Sequence, residues 1–290
     1  MSESEGKGER LRVASCQFPV TGDIRRNASY IRRYLARAAE TGAHLLHTSE
    51  ACLSGYANKD VPSFAGYDWG LLRQETARLR ALTAELGLWL VLGSAHYLDE
   101  ATKPTNCLYL INPRGEIADR YDKCMCTTGD QKAYSAGQRL VTVDLRGIRV
   151  GLAICYDICY PQIYAAYREM GVQVMLHSFY NAGDQGPNCL DVLNVRQVPT
   201  RCADNLMWAV CNNSARPYSH WASFVARPDA TIAQQLRINQ AGMLLHDFPD
   251  GLSEGGWLHN RIPMKLHPEE IMHYGQPSQH PRQLDPRAEP

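Results

Sequence analysis

Residues 151–162, GLAICYDICYPQ, decide how this chain is read. An apolar run ends on Cys155, a Tyr156-Asp157 pair follows, and a second cysteine, Cys159, precedes Pro161. The apolar runs at 149–155 and 172–176 do not alternate with polar residues, the pattern of strands covered on both faces. Pro161 suits the first turn of a helix, where its missing N–H costs nothing. A thiol where a buried strand stops could be core, half of a disulfide, a metal ligand or a nucleophile.

Composition narrows the choice. The chain has 290 residues, 44% of them hydrophobic, enough to bury a sizeable core. Lys+Arg and Asp+Glu balance at 30 each, which offers no electrostatic reason to bind nucleic acid or an anionic membrane. The N-terminus MSESEGKGER carries no apolar signal segment, and no apolar run approaches the ~18 residues of a membrane span. A cytoplasmic protein is the expectation. Its 10 cysteines are scattered and contain no C-x-x-C pair, which disfavours a disulfide framework or structural zinc. Most read as buried small hydrophobes in a reducing compartment.

Outward from Cys155, strands and helices alternate. Residues 11–20, 44–50, 88–98, 106–111 and 117–123 read as strands, with helices at 24–41 and 71–86, the second stopped by Gly87. "NPRGE" is a turn of the kind that joins antiparallel strands. The second half repeats the rhythm: strands at 141–145 and 148–155 joined at Arg146-Gly147, a helix at 160–171, a strand at 172–178, a helix at 189–205, and a strand at 207–213. A hairpin at 223–236 and a last strand at 241–248 follow. From about 264 the chain turns polar and Pro-rich. The expected division is a domain over 10–263 and a tail over 264–290 that crosses the surface or a partner subunit. The pattern is a layered α/β domain.

Cys155 sits at the carboxyl end of a strand, where α/β folds bind ligands, with a helix close behind. A nucleophilic thiol also needs a base for its proton and a positive group facing the anion it creates. Glu50 ends one apolar strand and Lys123 another, places where a charge needs a reason. Each alone is ordinary, and spacing alone leaves the question open.

These segments together resemble the nitrilase, or carbon–nitrogen hydrolase, superfamily. "HLLHTSEACLSGY" resembles its glutamate segment, "DRYDKCM" its lysine segment and "GLAICYDICYP" its cysteine segment. "LRVASCQFPV", "VPTRCADNLMWAVCNNS" and "SFVARPDATI" resemble its first strand, its post-nucleophile helix and strand, and its hairpin. The likeness covers about residues 10–235. It implies a four-layer αββα sandwich, paired into an eight-layer homodimer or a higher homo-oligomer. It implies Cys155 as nucleophile, Glu50 as general base and acid, Lys123 as oxyanion stabiliser with the backbone N–H of Tyr156, and no metal or organic cofactor. Cys-Tyr-Asp resembles the amidase and carbamoylase branches, whereas nitrilases usually carry Cys-Trp-Glu.

The chain departs from the pattern twice. Where relatives carry a second glutamate, seven residues before a glycine, Asp130 stands seven before Gly137, on an arm roughly 1.5 Å shorter. Asp130 or Gln131 then takes that substrate-positioning role, unless both lie in a solvent loop. Where relatives read Arg-Phe-Pro-Glu, this chain reads Cys159-Tyr160-Pro161-Gln162, so the pocket is less charged, and Cys159 stands close enough in sequence to oxidise with Cys155. Phe179, Tyr180 and Asn181, after the next strand, are the expected pocket lining, and His177 is either a pocket group or a strand-end residue.

The expected activity is hydrolysis of a small neutral or weakly polar amide or N-carbamoyl compound through a cysteine thioester. The alternatives are acyl transfer from that thioester and a non-catalytic small-molecule binder. A dimer is expected through the helices at 160–171 and 189–205, on the argument that Ile163, Tyr164 and Tyr167 exceed what one sheet face needs.

Overall fold

The computed structural model describes residues 10–97, 102–183, 185–187 and 189–248. The expected tail at 264–290 lies outside them. In chain order the elements are β1 (Leu11–Gln17), α1 (Ile24–Glu40), β2 (Leu45–His47), α2 (Trp69–Leu86), β3 (Trp89–His96), β4 (Thr105–Ile111), β5 (Ile117–Asp122) and the short α3 (Asp130–Ala133). There follow β6 (Thr142–Leu145), β7 (Ile148–Ile154), α4 (Pro161–Glu169), β8 (Val174–Ser178), α5 (Leu190–Asn205), β9 (Trp208–Asn212), β10 (Phe224–Ala226), β11 (Ile232–Gln235) and β12 (Gly242–Phe248).

They form two six-stranded sheets, ordered β12-β1-β2-β3-β4-β5 and β11-β10-β9-β8-β7-β6. In each, three central strands run parallel (β1, β2, β3 and β7, β8, β9) and the outer strands pair antiparallel. Leu11, Val13, Val91 and Leu108 from one sheet meet Val150, Leu152, Leu176 and Val210 from the other. The opposite face of the first sheet packs Ala14, Cys16, Leu90 and Leu92 on α1 and α2 through Ile31, Leu35 and Leu79. The opposite face of the second packs Ala153, Met175 and Cys211 on α4 and α5 through Tyr164, Tyr167, Val198 and Cys202. This is the αββα sandwich. Both faces of the central strands are covered, so those strands carry continuous apolar runs.

Local chemistry sets the ends. Asp23 and Asp68 cap α1 and α2 by accepting from Arg26 N at 3.1 Å and Leu71 N at 2.8 Å, each worth about 1 kcal/mol. Gly87 closes α2 at φ 68°. β1 and β2 end well before the expected strands do. β1 stops at Gln17, shortly before Pro19, which has no N–H to pair. β2 stops at His47 because the Thr48 hydroxyl engages the neighbouring strand and turns the chain.

One expectation is corrected. Ile163, Tyr164 and Tyr167 are 6%, 0% and 0% exposed within the single chain, so they are no surplus awaiting a partner. Tyr167 reaches across to Leu152 O and Val141 N, filling the space beside Gly151. No helix among the described residues is long and apolar enough to cross a membrane.

Candidate active site

Glu50 is delivered by a sharp departure from β2. Thr48 N and Oγ1 both donate to Val91 O, at 3.1 and 2.9 Å, and Oγ1 accepts from Gly93 N at 3.0 Å. The chain then turns at Ala51, a non-glycine residue at φ 50°. This path is open only because Gly93 has no side chain: a Cβ there would stand 1.9 Å from Ser49 O. Glu50 N donates to Phe179 O at 3.3 Å, and Ser178 Oγ to Thr48 O at 2.8 Å, so the segment is tied to both sheets.

Lys123 follows the last residue of β5. Its N–H donates to Asn106 O at 2.8 Å and its carbonyl accepts from Gly137 N at 2.8 Å. Gly137 is also needed for close approach, since a Cβ would lie 2.1 Å from Asp122 O. Lys123 Nζ is wholly buried, 2.8 Å from Glu50 Oε1 and 2.9 Å from Asp130 Oδ2. Asn106 Nδ2 donates to the same Glu50 oxygen at 2.7 Å, whereas Glu50 Oε2 has no hydrogen-bond partner. Asp130 accepts from Tyr56 OH at 2.5 Å and Thr127 N at 2.9 Å.

Burial of these charges shapes their titration. Burial pushes the Glu50 carboxyl above its ordinary value, against the pull of the adjacent Lys123 charge. Burial alone would lower Lys123, but Glu50 and the other acidic groups around it hold it well above the usual lysine range. Asp130 resists its own burial because Lys123 and the hydrogen bonds it accepts keep it ionised, below the usual carboxylate range.

Cys155 opens a 3-10 turn over Cys155–Cys159 at the end of β7. Its φ of 44° is left-handed, a strained conformation of the kind that collects at functional sites. Asp157 holds it there, accepting from Ile154 N and Met125 N at 2.8 Å and from Tyr121 OH at 2.6 Å. Burial, then the Glu50 charge, raise the thiol's pKa, and the Lys123 charge opposes them. Glu50 and Lys123, paired with each other at 2.8 Å, therefore act on the thiol in opposite senses. Asn181 Nδ2 lies 3.6 Å from the sulfur.

The other candidates fall in distinct places. Asp130 is 2% exposed and paired with Lys123, whereas Gln131 reaches only Cys126 O, near the surface. Tyr180 stacks on Tyr56 with ring centroids 4.9 Å apart, and its hydroxyl donates to Asp60 at 2.8 Å beside Arg216. The Phe179 ring is packed between His177 and Trp221, so its link to Glu50 is through its carbonyl. The Tyr156 ring stands edge-on to Tyr160, 5.6 Å away. His177 is a core residue: Nδ1 bonds Tyr164 OH at 2.8 Å, and burial lowers its pKa to about 3. Cys159 turns toward Gln197 at 3.9 Å and is not joined to Cys155.

Sequence reasoning missed Tyr56, Asn106, Asn194 and Trp221. A signal existed for Asn106, a polar residue at the head of the apolar run "NCLYLI", but only the β4–β5 register sets it beside Lys123.

Known proteins resemble this chain in sequence and in fold. The chain is 25% identical over 231 residues to an omega-amidase of Homo sapiens, covering 77% of this chain and 80% of that one. It is 25% identical over 228 residues to a chloroplastic omega-amidase of Arabidopsis thaliana, covering 73% of this chain but only 60% of that relative's length. The crystal structure of an amidase from Nesterenkonia sp. superposes with a TM-score of 0.73 at 24% identity, over 88% of this chain and 94% of that one. The family model for carbon–nitrogen hydrolases matches residues 12–253, and the chain belongs to that family: it is a carbon–nitrogen hydrolase.

Proposed function

We propose that the enzyme hydrolyses a small neutral amide or N-carbamoyl compound through a thioester on Cys155. The Cys155 sulfur attacks the carbonyl carbon while Glu50 takes the thiol proton. Lys123, with the N–H of Tyr156, faces the oxyanion of the tetrahedral adduct. Glu50 returns the proton to the nitrogen, the C–N bond breaks, and ammonia or an amine leaves. Water, deprotonated by Glu50, then attacks the thioester; the acid departs and the thiol is restored. Asp130 serves in place of a longer glutamate by keeping Lys123 charged and in place.

One observation carries this reading. Lys123 is clamped between two buried carboxylates, one oxygen of Glu50 has no hydrogen-bond partner, and the charges of Glu50 and Lys123 both act on the Cys155 thiol. The neutral substrate follows from pairing: Glu50 and Asp130 are taken by Lys123, and Arg216 by Asp60. A strongly charged substrate tail would be buried without a counterion, which is costly. The names of the omega-amidase relatives favour amides over nitriles.

The test is ammonia release across a panel of amides, carbamoyl compounds and nitriles. Cys155→Ala should abolish turnover in a folded protein and Cys159→Ala should keep most of it. Turnover of nitriles alone would overturn the amidase reading.

We also infer a homodimer and a cytoplasmic setting. On α5, Val192 and Leu193 are 52% and 36% exposed, a pair of neighbouring apolar side chains on the helix expected at the interface.

A further inference from the structure

The environment of Asn181 does more than line a pocket. The residue is 5% exposed, and its side chain is gripped from several directions. Asn194 Nδ2 donates to Asn181 Oδ1 at 2.7 Å, and Trp221 Nε1 donates to the same oxygen at 3.1 Å. The backbone is fixed as well: Asn181 N donates to Asn213 Oδ1 at 2.8 Å, and Asn181 O accepts from His220 N at 3.0 Å and Asn213 Nδ2 at 3.2 Å. An indole N–H can only donate. The atom it meets must therefore be the carboxamide oxygen, which leaves the nitrogen to face Cys155 Sγ at 3.6 Å, with Tyr180 O at 3.3 Å as its other acceptor.

We propose that Asn181 is a catalytic donor to the Cys155 sulfur, and that Trp221 and Asn194 are positioning residues that aim its N–H at the nucleophile. The inference rests on the reading of Cys155 as the nucleophile.

The chemistry calls for such a donor. When Glu50 takes the thiol proton, negative charge appears on a partly buried sulfur, and it appears there again when the thioester breaks. Lys123 is already shared by two carboxylates. A neutral N–H stabilises the thiolate without adding a charge, and gives less to the uncharged thiol and thioester, so its effect falls on the charged stages of the cycle. The amide is locked before reaction, so no ordering is required at that moment.

The experiment measures the rate of Cys155 alkylation by iodoacetamide against pH in the full chain, resolved by peptide mass spectrometry, together with kcat and KM for propionamide. Trp221→Phe keeps the ring that packs against Phe179 and Phe224 but removes the N–H. Asn181→Ala removes the donor, and Asn181→Asp keeps its shape while replacing the donor with a carboxylate. The alkylation midpoint should rise by about one pH unit in Asn181→Ala, and further in Asn181→Asp. In Trp221→Phe it should rise by a smaller amount. In each, kcat should fall about tenfold or more while KM changes little. A midpoint unmoved in the folded Asn181 variants, with KM raised instead, overturns the inference. A shift in Asn181→Ala with none in Trp221→Phe overturns the positioning role of the indole. Alkylation is read without turnover, so these outcomes are separate from failure of the nucleophile reading, which persistent turnover in Cys155→Ala would show.

Discussion

Asp130 Oδ2 accepts from Lys123 Nζ at 2.9 Å, with both side chains shut away from water. The shorter acid reaches its lysine because α3, following the turn at Thr127, brings it inward; Thr127 Oγ1 accepts from Asp130 N at 3.0 Å while Asp130 Oδ2 accepts from Thr127 N. Asp130→Asn removes the charge and keeps the shape. Ammonia release should fall ~10²-fold in kcat/KM, the scale of a loss of placement in an active site. Unchanged kinetics would sink the role given to Asp130.

The base is predicted to work only when ionised, and burial raises Glu50 above the ordinary carboxylate value. The acid limb of kcat/KM against pH should therefore lie above the range of a solvated glutamate. Activity is lost as pH falls through that raised value and regained above it. Glu50→Gln should remove the limb together with nearly all turnover. A limb at or below the ordinary value would contradict a buried base.

Two buried histidines predict acid sensitivity of the fold. His47 sits between Ser15 Oγ at 3.3 Å and Ser178 Oγ at 2.8 Å; burial lowers both His47 and His177 from 6.5 to about 3. Between those values the unfolded chain binds protons that the folded chain does not, so stability drops as pH falls below 6.5. Each ring should cost about 2 kcal/mol between pH 7 and pH 5. Urea midpoints at pH 7 and pH 5 check this; equal midpoints would exclude neutral, buried rings.

Gly93→Ala tests the route by which Glu50 enters the site. The added methyl would meet Ser49 O at 1.9 Å, a backbone atom that cannot swing aside. The substitution should destabilise by about 1–3 kcal/mol or more and abolish activity even where the protein still folds. Wild-type kinetics in the variant would show that the Thr48–Ala51 segment moves freely.

For assembly, light scattering at micromolar concentration should give a dimer, with more than ~1,000 Å² buried. Val192→Asp should shift it toward monomer by placing a charge in an apolar contact. A monomeric wild type would end the claim.

The sequence by itself determined the layers. Apolar runs without alternation at 149–155 and 172–176, and helical periodicity at 24–41, are one-dimensional signals of burial. The expected strands at 44–50, 117–123 and 148–155 also placed Glu50, Lys123 and Cys155 at their ends, although β2 itself stops at His47. Only tertiary structure decided what those residues touch. Asn106 reaches Glu50 because β4 lies between β3 and β5, and Trp221 meets Asn181 across 40 residues of chain. It also reversed one inference: the aromatic face of α4 is spent on its own sheet, since Tyr164 and Tyr167 fill the space left by small residues on β7, Gly151 and Ala153. Local pattern reports whether a side chain is buried; which neighbour buries it depends on strand order and register, which link residues far apart in sequence.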